Sequence, residues 1–504
     1  MEGCLHNQLA SFAGRYLKHT PKISPNLNLH LVNRIVDHLV AEMRPLYKPE
    51  FDFHKYVASK PGSSRRRFLR AYKQLLTGTR DLDKISKITA FVKNERYFEE
   101  GKAPRMIMGR DPRFNTFYAR HIARLEDAFF QLPQVANKCD FSGCGKKFSK
   151  LLGQWMFEND MSKYESSQRY FHLALEYLVY AQLTPDDEKE EFATLFAAKM
   201  LKSGHTKEGL KFEFNHCRGS GDLDTGLGNG VLNYISTMYF KILNFCPFKQ
   251  DCHMDGLCCS YDGFVLKGDD SYGNMPVNAE FKNHYSDFGF DAKLIVRHDP
   301  RTTEFCSGHF LQLADGSYYY VQKLRKLITS ITTIINPEFI ERGWVAHYYR
   351  SLGDMYAVLY GELPVYGELA KFLQTASTKF RVNTHLTNES YGHHTAFSEH
   401  KRSVQKIDVC HQTLVDVSVN NQFDFAELTA LKEYFDTTAM RLPAQYSKRC
   451  NVKNKPAQTV PHEVSIGNRA FNKTTLPPVC KIWLRSLHHL GNDRRHLGQI
   501  LKQS

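Results

Sequence analysis

Asp160-Met-Ser-Lys-Tyr-Glu165, then Ser220-Gly221 with Thr225 and Asn229 behind it, then Gly268-Asp269-Asp270 follow one another through the middle of a 504-residue chain. In that order they hold what phosphoryl transfer from a nucleotide needs. In-line attack of a hydroxyl on an α-phosphate builds charge on the attacking oxygen, the phosphoryl oxygens and the leaving pyrophosphate. Two divalent cations about 3.5–4 Å apart can stabilise both ends of that displacement. Mg2+ takes hard carboxylate oxygens while keeping water and phosphate ligands. Asp160 and Asp269 are the first-choice ligands for two Mg2+ ions, with Mn2+ as an alternative, and Asp270 is the third acid with a lesser role. The polar residues of the second motif can read a ribose, since a 2′-hydroxyl both donates and accepts.

A Gly-Asp-Asp triplet alone arises by accident in about one chain in ten of this length, so order and spacing carry the argument. The residues therefore point to a nucleotide polymerase. Tyr170 to Tyr180 and Thr225 to Phe240 have the apolar spacing of helices, while Ser260 to Ser271 reads as strand, tight turn and second strand. That puts Asp269 and Asp270 at a hairpin tip, where both carboxylates face outward. Phe288 to Val296 and Thr303 to Phe310 add strand-like pieces, making a small mixed α/β unit.

Upstream, residues 1 to 90 read as mostly helical, including His30 to Val40, and Ile88 to Val92 reads as a strand entering a basic loop region that ends near Asn115. From Tyr318 to about Leu442 helical patterning dominates. Prolines 443, 456, 461, 477 and 478 then mark a loose linker before a last basic helix over Val479 to Leu501.

Hydrophobic content of 42% supplies a large core, and the 13% of aromatic residues are expected mostly inside it. Net charge is +14, which suits a polyanionic partner. Twelve Lys or Arg against Glu463 and Asp493 give residues 441–504 +10 of that total, as a solvated tail or a nucleic-acid or membrane contact. The cysteines are scattered, and neither Cys139 with Cys144 nor Cys252, His253, Cys258 and Cys259 gives two pairs at a usual zinc-finger spacing. Reduced thiols are expected. No charged-then-apolar leader opens the sequence, and no stretch approaches the roughly 20 apolar residues of a membrane span.

The motifs resemble those of the RNA-dependent RNA polymerases of positive-strand RNA viruses, nearest to tombusvirus-like and nodavirus-like enzymes. Asp160 to Gln168, Arg218 to Asn229 and Gly268 to Ser271 look like the three palm motifs. Phe91-Val-Lys-Asn-Glu95, Gly101 to Ile107 and Arg110 to Asn115 look like the basic fingers motif. The resemblance covers about residues 90 to 310 and implies an α/β (α+β) right-hand fold. Residues 1–90 would be an N-terminal helical extension and fingers, 91–150 fingers with a basic nucleotide-binding loop, and 151–310 the palm with an inserted fingers segment. A helical thumb over 311–442 and a basic linker and tail over 443–504 would follow.

On this resemblance Ser220, Gly221, Thr225 and Asn229, with Glu165, bind the incoming ribose, while Lys93, Lys102 and Arg105 grip the triphosphate. Lys293 is a candidate general acid for the pyrophosphate. The family usually has Asp where this chain has Glu165, which moves that carboxylate outward. Tyr318 to Tyr320, with Lys323 and Arg325, are candidates for product-RNA contact, although packing suits two of the three tyrosines. The implied partners are RNA template and product, ribonucleoside triphosphates and a membrane-anchored viral replication protein. The implied setting is the host cytoplasm, at membrane-associated replication complexes. Two other readings are a reverse transcriptase-like enzyme and a non-catalytic basic RNA-binding protein with a relict palm. Lys267-Gly268 before the acids argues against the first, and the full set of acids against the second.

Overall fold

The computed structural model describes residues 4–17, 22–60, 62–78, 81–93, 102–153, 155–215, 217–252, 254, 263–331, 340–341, 344–376, 407–440, 478–492 and 496–503. Among them are β1 (Ile88–Val92), β2 (Met106–Arg110), β3 (Trp155–Met161), β4 (Leu201–Thr206), β5 (Lys211–Asn215), β6 (Phe264–Lys267), β7 (Asp270–Met275), β8 (Ala292–Arg297), β9 (Gly308–Gln312) and β10 (Tyr318–Gln322). They form three sheets, in the orders β2-β1-β4-β5, β6-β7-β3-β8 and β10-β9. Helices cover these sheets, so the chain is an α+β protein.

The central sheet β6-β7-β3-β8 is antiparallel throughout. It is backed by Tyr170–Ala181, every residue of which is buried, and by Thr225–Phe245, buried from Leu227 to Ile242. Apolar residues all round such helices mark them as interior elements. Leu29–Met43 is amphipathic instead, burying Leu31, Val32, Ile35, Val36, Leu39, Val40 and Met43 against the same core. A second core joins β9 and β10 to Phe141–Leu151, Val345–Tyr360 and Tyr366–Gln374.

Two expectations from periodicity are corrected here. Tyr318 to Gln322 is a strand, paired with β9, and all three tyrosines are buried. Tyr319 donates its hydroxyl proton to the Leu359 carbonyl at 2.9 Å and Tyr320 to that of Phe305 at 3.1 Å, so these rings pack inside and do not present a face to RNA. Lys323 pairs with Glu304 at 2.6 Å, and Arg325 donates to the Asn421 carbonyl at 3.0 Å. The strand expected over Thr303 to Phe310 begins only at Gly308, because Cys306 and Ser307 take positive φ of 49° and 62° and turn the chain.

The C-terminal segment supplies a third finding. In place of one helix there are two, Pro478–Asn492 and His496–Gln503. Cys480, Trp483, Leu487, Leu490, Leu497 and Ile500 join the first core, so this part of the basic segment is docked while residues 441–477 lie outside the described residues. No helix among the described residues is long and apolar enough to cross a membrane.

Candidate active site

The β6–β7 hairpin turns at Gly268, whose φ of +64° is the left-handed conformation that glycine adopts without a Cβ penalty. Lys267 pairs with Asp270 across it, leaving Asp269 in the turn. Asn233, deep in the helix behind, clamps this turn by donating to the carbonyls of Gly268 at 3.0 Å and Asp270 at 3.2 Å. Its own carbonyl oxygen accepts from Thr237 at 3.0 Å. Asn233 was not singled out from sequence, although it stands one helical turn after Asn229 on the same face.

Strand register brings the distant acid to the hairpin. Asn159 pairs with Ser271 across β3 and β7, so Asp160, the next residue, continues the row toward Asp270. On its other side Asp160 pairs with Lys293 of β8, a separation at which cross-strand Cβ atoms are about 4.5–5.5 Å apart. The acids feel one another. Burial, Asp270 and Glu165 push Asp269 up to about 7, against the pull of Arg105. Burial pushes Asp270 up to about 6, with the Cys306 thiol holding it down, Asp160 adding to the rise, and Lys326 and Arg105 easing it. Cys306 and Lys326 are further residues that the sequence gave no reason to choose.

Glu165 sits in the short helix Tyr164–Ser167, entered through Lys163 at φ 51°. Its carboxylate accepts from the Ser220 hydroxyl at 3.1 Å, which joins the first motif to the second. The second motif also touches the basic strand, since Met108 N–H of β2 donates to the Ser220 carbonyl at 2.8 Å and Gly221 turns at φ +123° beside it. Arg15, Tyr16, Arg105, Lys163, Glu165 and Ser220 line a small cleft there.

Two expected ribose readers point inward. The Thr225 hydroxyl lies 2.8 Å from the Asp222 carbonyl and 3.1 Å from that of Gly219, closing the turn before its helix. Asn229 is buried and accepts from Gln168 at 2.9 Å; Gln168 in turn accepts from Arg218 at 3.1 Å.

Beneath this loop lies a set of buried charges. Lys199 contacts Glu176 at 2.7 Å and Asp224 at 2.6 Å, and Arg218 pairs with Glu176, all with side chains 0% exposed. Beside them Asp222 accepts from Arg110 at 2.9 Å and Lys202 at 2.8 Å. Arg110 belongs to the basic motif and Asp222 to the second palm-like motif, so this pair ties the two together.

Of the triphosphate candidates, Arg105 reaches the acids electrostatically. Lys93 donates its backbone N–H to the Arg105 carbonyl at 2.8 Å, and Lys102 is exposed; residues 94–101 between them lie outside the described residues, as do His253, Cys258 and Cys259. Among the described residues no three Asp, Glu, His or Cys side chains stand close enough to hold a metal ion by themselves. Mg2+ is commonly held by one or two carboxylates with substrate phosphates completing its shell. Asp269 and Asp270, raised first by burial and then by neighbouring carboxylates that the nearby cations do not offset, fit that donor pattern.

Comparison with known proteins agrees with the motifs. A family model described as viral RNA dependent RNA polymerase matches residues 28–442. The chain is 26% identical to the RNA-directed RNA polymerase of Groundnut rosette virus (strain MC1) over 353 residues, covering 66% of this chain and 40% of the relative. It is 24% identical to that of Turnip crinkle virus over 308 residues, covering 56% and 37%. A replicase large subunit of Pepper mild mottle virus (strain Spain) is 29% identical over 199 residues, covering 37% and 11%. The chain thus spans less than half the length of these relatives. Since the family model takes in all three acidic motifs and the basic strands beside them, the chain belongs to the viral RNA-dependent RNA polymerase family.

Proposed function

We propose that this chain is an RNA-directed RNA polymerase that replicates a positive-strand viral genome, adding ribonucleotides opposite an RNA template. The observation that carries the reading is the strand register that sets Asp160 beside the hairpin of Asp269 and Asp270, whose carboxyls are raised by burial and by neighbouring carboxylates. In the right-hand description, residues 1–90 are a helical extension and fingers, 91–150 fingers with the basic loop, 151–310 the palm with an inserted fingers segment, 311–442 the thumb and 443–504 the basic linker and tail.

Asp160, Asp269 and Asp270 would hold two divalent cations, Mg2+ by preference and Mn2+ as the alternative. When bound, those ions neutralise charge on the attacking and leaving oxygens. Arg105, with Lys93 and Lys102, grips the triphosphate, the guanidinium through paired hydrogen bonds. Ser220 and Glu165 face the sugar, and Asn229 with Thr225 shapes the loop that presents them. Lys293, across from Asp160, carries a proton for the departing pyrophosphate. A membrane-anchored viral protein would recruit the enzyme to cytoplasmic replication complexes.

Nucleotide incorporation on an RNA template with Mg2+, comparing wild type and Asp269→Ala, tests the reading. The variant should lose incorporation; equal incorporation would refute it. Preference for deoxynucleotides would favour reverse transcription instead.

A further inference from the structure

Residues Leu5–Tyr16 lie outside every motif singled out from sequence, yet they run to the cleft beside Glu165. Phe12 seats them on a small core with β1 and β2, its ring 5.1 Å from Phe212 and 5.3 Å from Phe214 of β5. The Lys163 ammonium, at the entry to the short helix of Glu165, donates to the Gly14 carbonyl at 2.8 Å. Gly14 also lies so close to Ala103 that a Cβ on it would stand 2.5 Å from the Ala103 Cβ. Arg15 Nε donates to the Ala103 carbonyl at 3.0 Å. The stretch is thus a strap, fastened to the first acidic motif on one side and to the lead-in of β2 on the other.

That fastening decides where the Arg15 charge goes. Ala103 stands two residues before Arg105, a span of at most about 7 Å of chain, so the strap brings one guanidinium beside the other. Arg15 lines the cleft with Arg105, Lys163, Glu165 and Ser220. Its Nε is engaged by Ala103 and no carboxylate among the described residues pairs with it, which leaves its terminal N–H donors for a ligand. Three cations surround one acid, Glu165, which already accepts from Ser220. Such a cleft favours an anion, and a guanidinium held in place by one N–H offers the others in a fixed plane that matches phosphate oxygens.

We propose that Arg15 is a substrate-binding residue, delivered by the N-terminal strap to the triphosphate of the incoming nucleotide beside Arg105. This rests on the polymerase reading above, in which Glu165 and Ser220 face the sugar at the same cleft, and it makes the strap one wall of the nucleotide pocket.

Inorganic tripolyphosphate reads the cleft without incorporation. Titrated calorimetrically into the full chain, it should bind about 10-fold more weakly to Arg15→Gln than to wild type, the worth of one hydrogen bond to a charged group. KM for a ribonucleotide should rise by a similar factor with kcat nearly unchanged, the mark of lost binding common to ground and transition states. Gly14→Ala keeps the charge but forces the strap off Ala103, and should weaken tripolyphosphate binding as well. Adding Ala103→Gly moves the methyl from one side of that contact to the other and should restore wild-type affinity. Unchanged affinity in Arg15→Gln, or a loss in Gly14→Ala that Ala103→Gly leaves in place, would overturn the assignment. Failure of the polymerase reading looks different: wild type would incorporate nothing, while tripolyphosphate binding would still depend on Arg15.

Discussion

Replacing Asp222 by Asn removes one negative charge from between two buried cations and leaves the shape of the side chain. Oδ1 of Asp222 accepts from Arg110 Nε at 2.9 Å; Oδ2 accepts from Lys202 Nζ at 2.8 Å and from the Gly219 N–H at 3.1 Å. The three side chains are 0–1% exposed. Taking one partner out of such a buried pair costs about 3–5 kcal/mol, because the cations left behind are unpaired away from water.

The pH dependence of that loss is specific to Lys202. Burial lowers its pKa to about 8, and the attraction of Asp222 is the chief influence holding it that high. Without Asp222 it falls further, so the variant pays most where wild-type Lys202 is fully protonated, below about 8. Above that pH Lys202 is neutral in both proteins, and only the Arg110 pairing separates them. Burial raises the Asp222 pKa, but Lys202 and Arg110 outweigh it and hold the group below its ordinary range. Its contribution is therefore lost only at acid pH and stays constant from pH 6 to 9. Urea unfolding of wild type and Asp222→Asn at pH 6, 7, 8 and 9 should show a loss that shrinks by about 1.4 kcal/mol or more toward pH 9, the worth of one pKa unit. A loss equal at pH 6 and pH 9 would refute this account of the cluster.

Two other outcomes follow from the site and its support. Asp269 and Asp270 have pKa values raised to about 7 and 6, so in the ion-free protein they cost nothing below the ordinary carboxylate range, progressively more as pH rises from that range to those values, and a constant amount above them. Mg2+ should raise the thermal midpoint more at pH 8 than at pH 5, and a shift independent of pH, or one retained in Asp269→Ala, would count against these acids as the binding groups. A Cβ on Gly228 would lie 2.3 Å from Arg218 Nη2, whereas one on Gly226 meets nothing nearer than 3.6 Å. Gly228→Ala should therefore cost about 1–3 kcal/mol by overpacking and Gly226→Ala should be neutral or stabilising; the reverse order in urea unfolding would contradict the placement of Arg218.

What the sequence disclosed follows from how far each signal reaches along the chain. The hairpin was legible because Phe264 to Met275 carries its turn glycine and its pairing partners within one short window, and β1 appears over the same Ile88–Val92 that alternation indicates. Helices at Tyr170 and Thr225 start where the apolar spacing starts. The β1–β4 pairing, which sets Ile88 against Gly204, joins segments that no local pattern relates. Tyr318 to Tyr320 deceived for a neighbouring reason: aromatic runs suit a strand as well as a helix, and only the partner β9 decides between them.

The site residues divide along a line that residue type cannot draw. Asp269 and Asp270 stand at the sheet end beside Asp160, and burial, with neighbouring carboxylates adding to it, raises both hairpin acids so that a cation can displace their protons. Asp222 and Asp224 stand in the same motif region, have the same side chain, and do the opposite. Their pKa values are depressed because Arg110, Lys199, Lys202 and Arg218 outweigh the cost of burial. An aspartate committed to two buried cations holds a loop, and an aspartate crowded by other acids can take an ion. The difference lies in partners contributed by β2, β4 and the helix ending at Met200. Thus the loop that carries Ser220 owes its shape to buried charges beneath it, and substitutions among them should move stability and, on the polymerase reading, sugar recognition together.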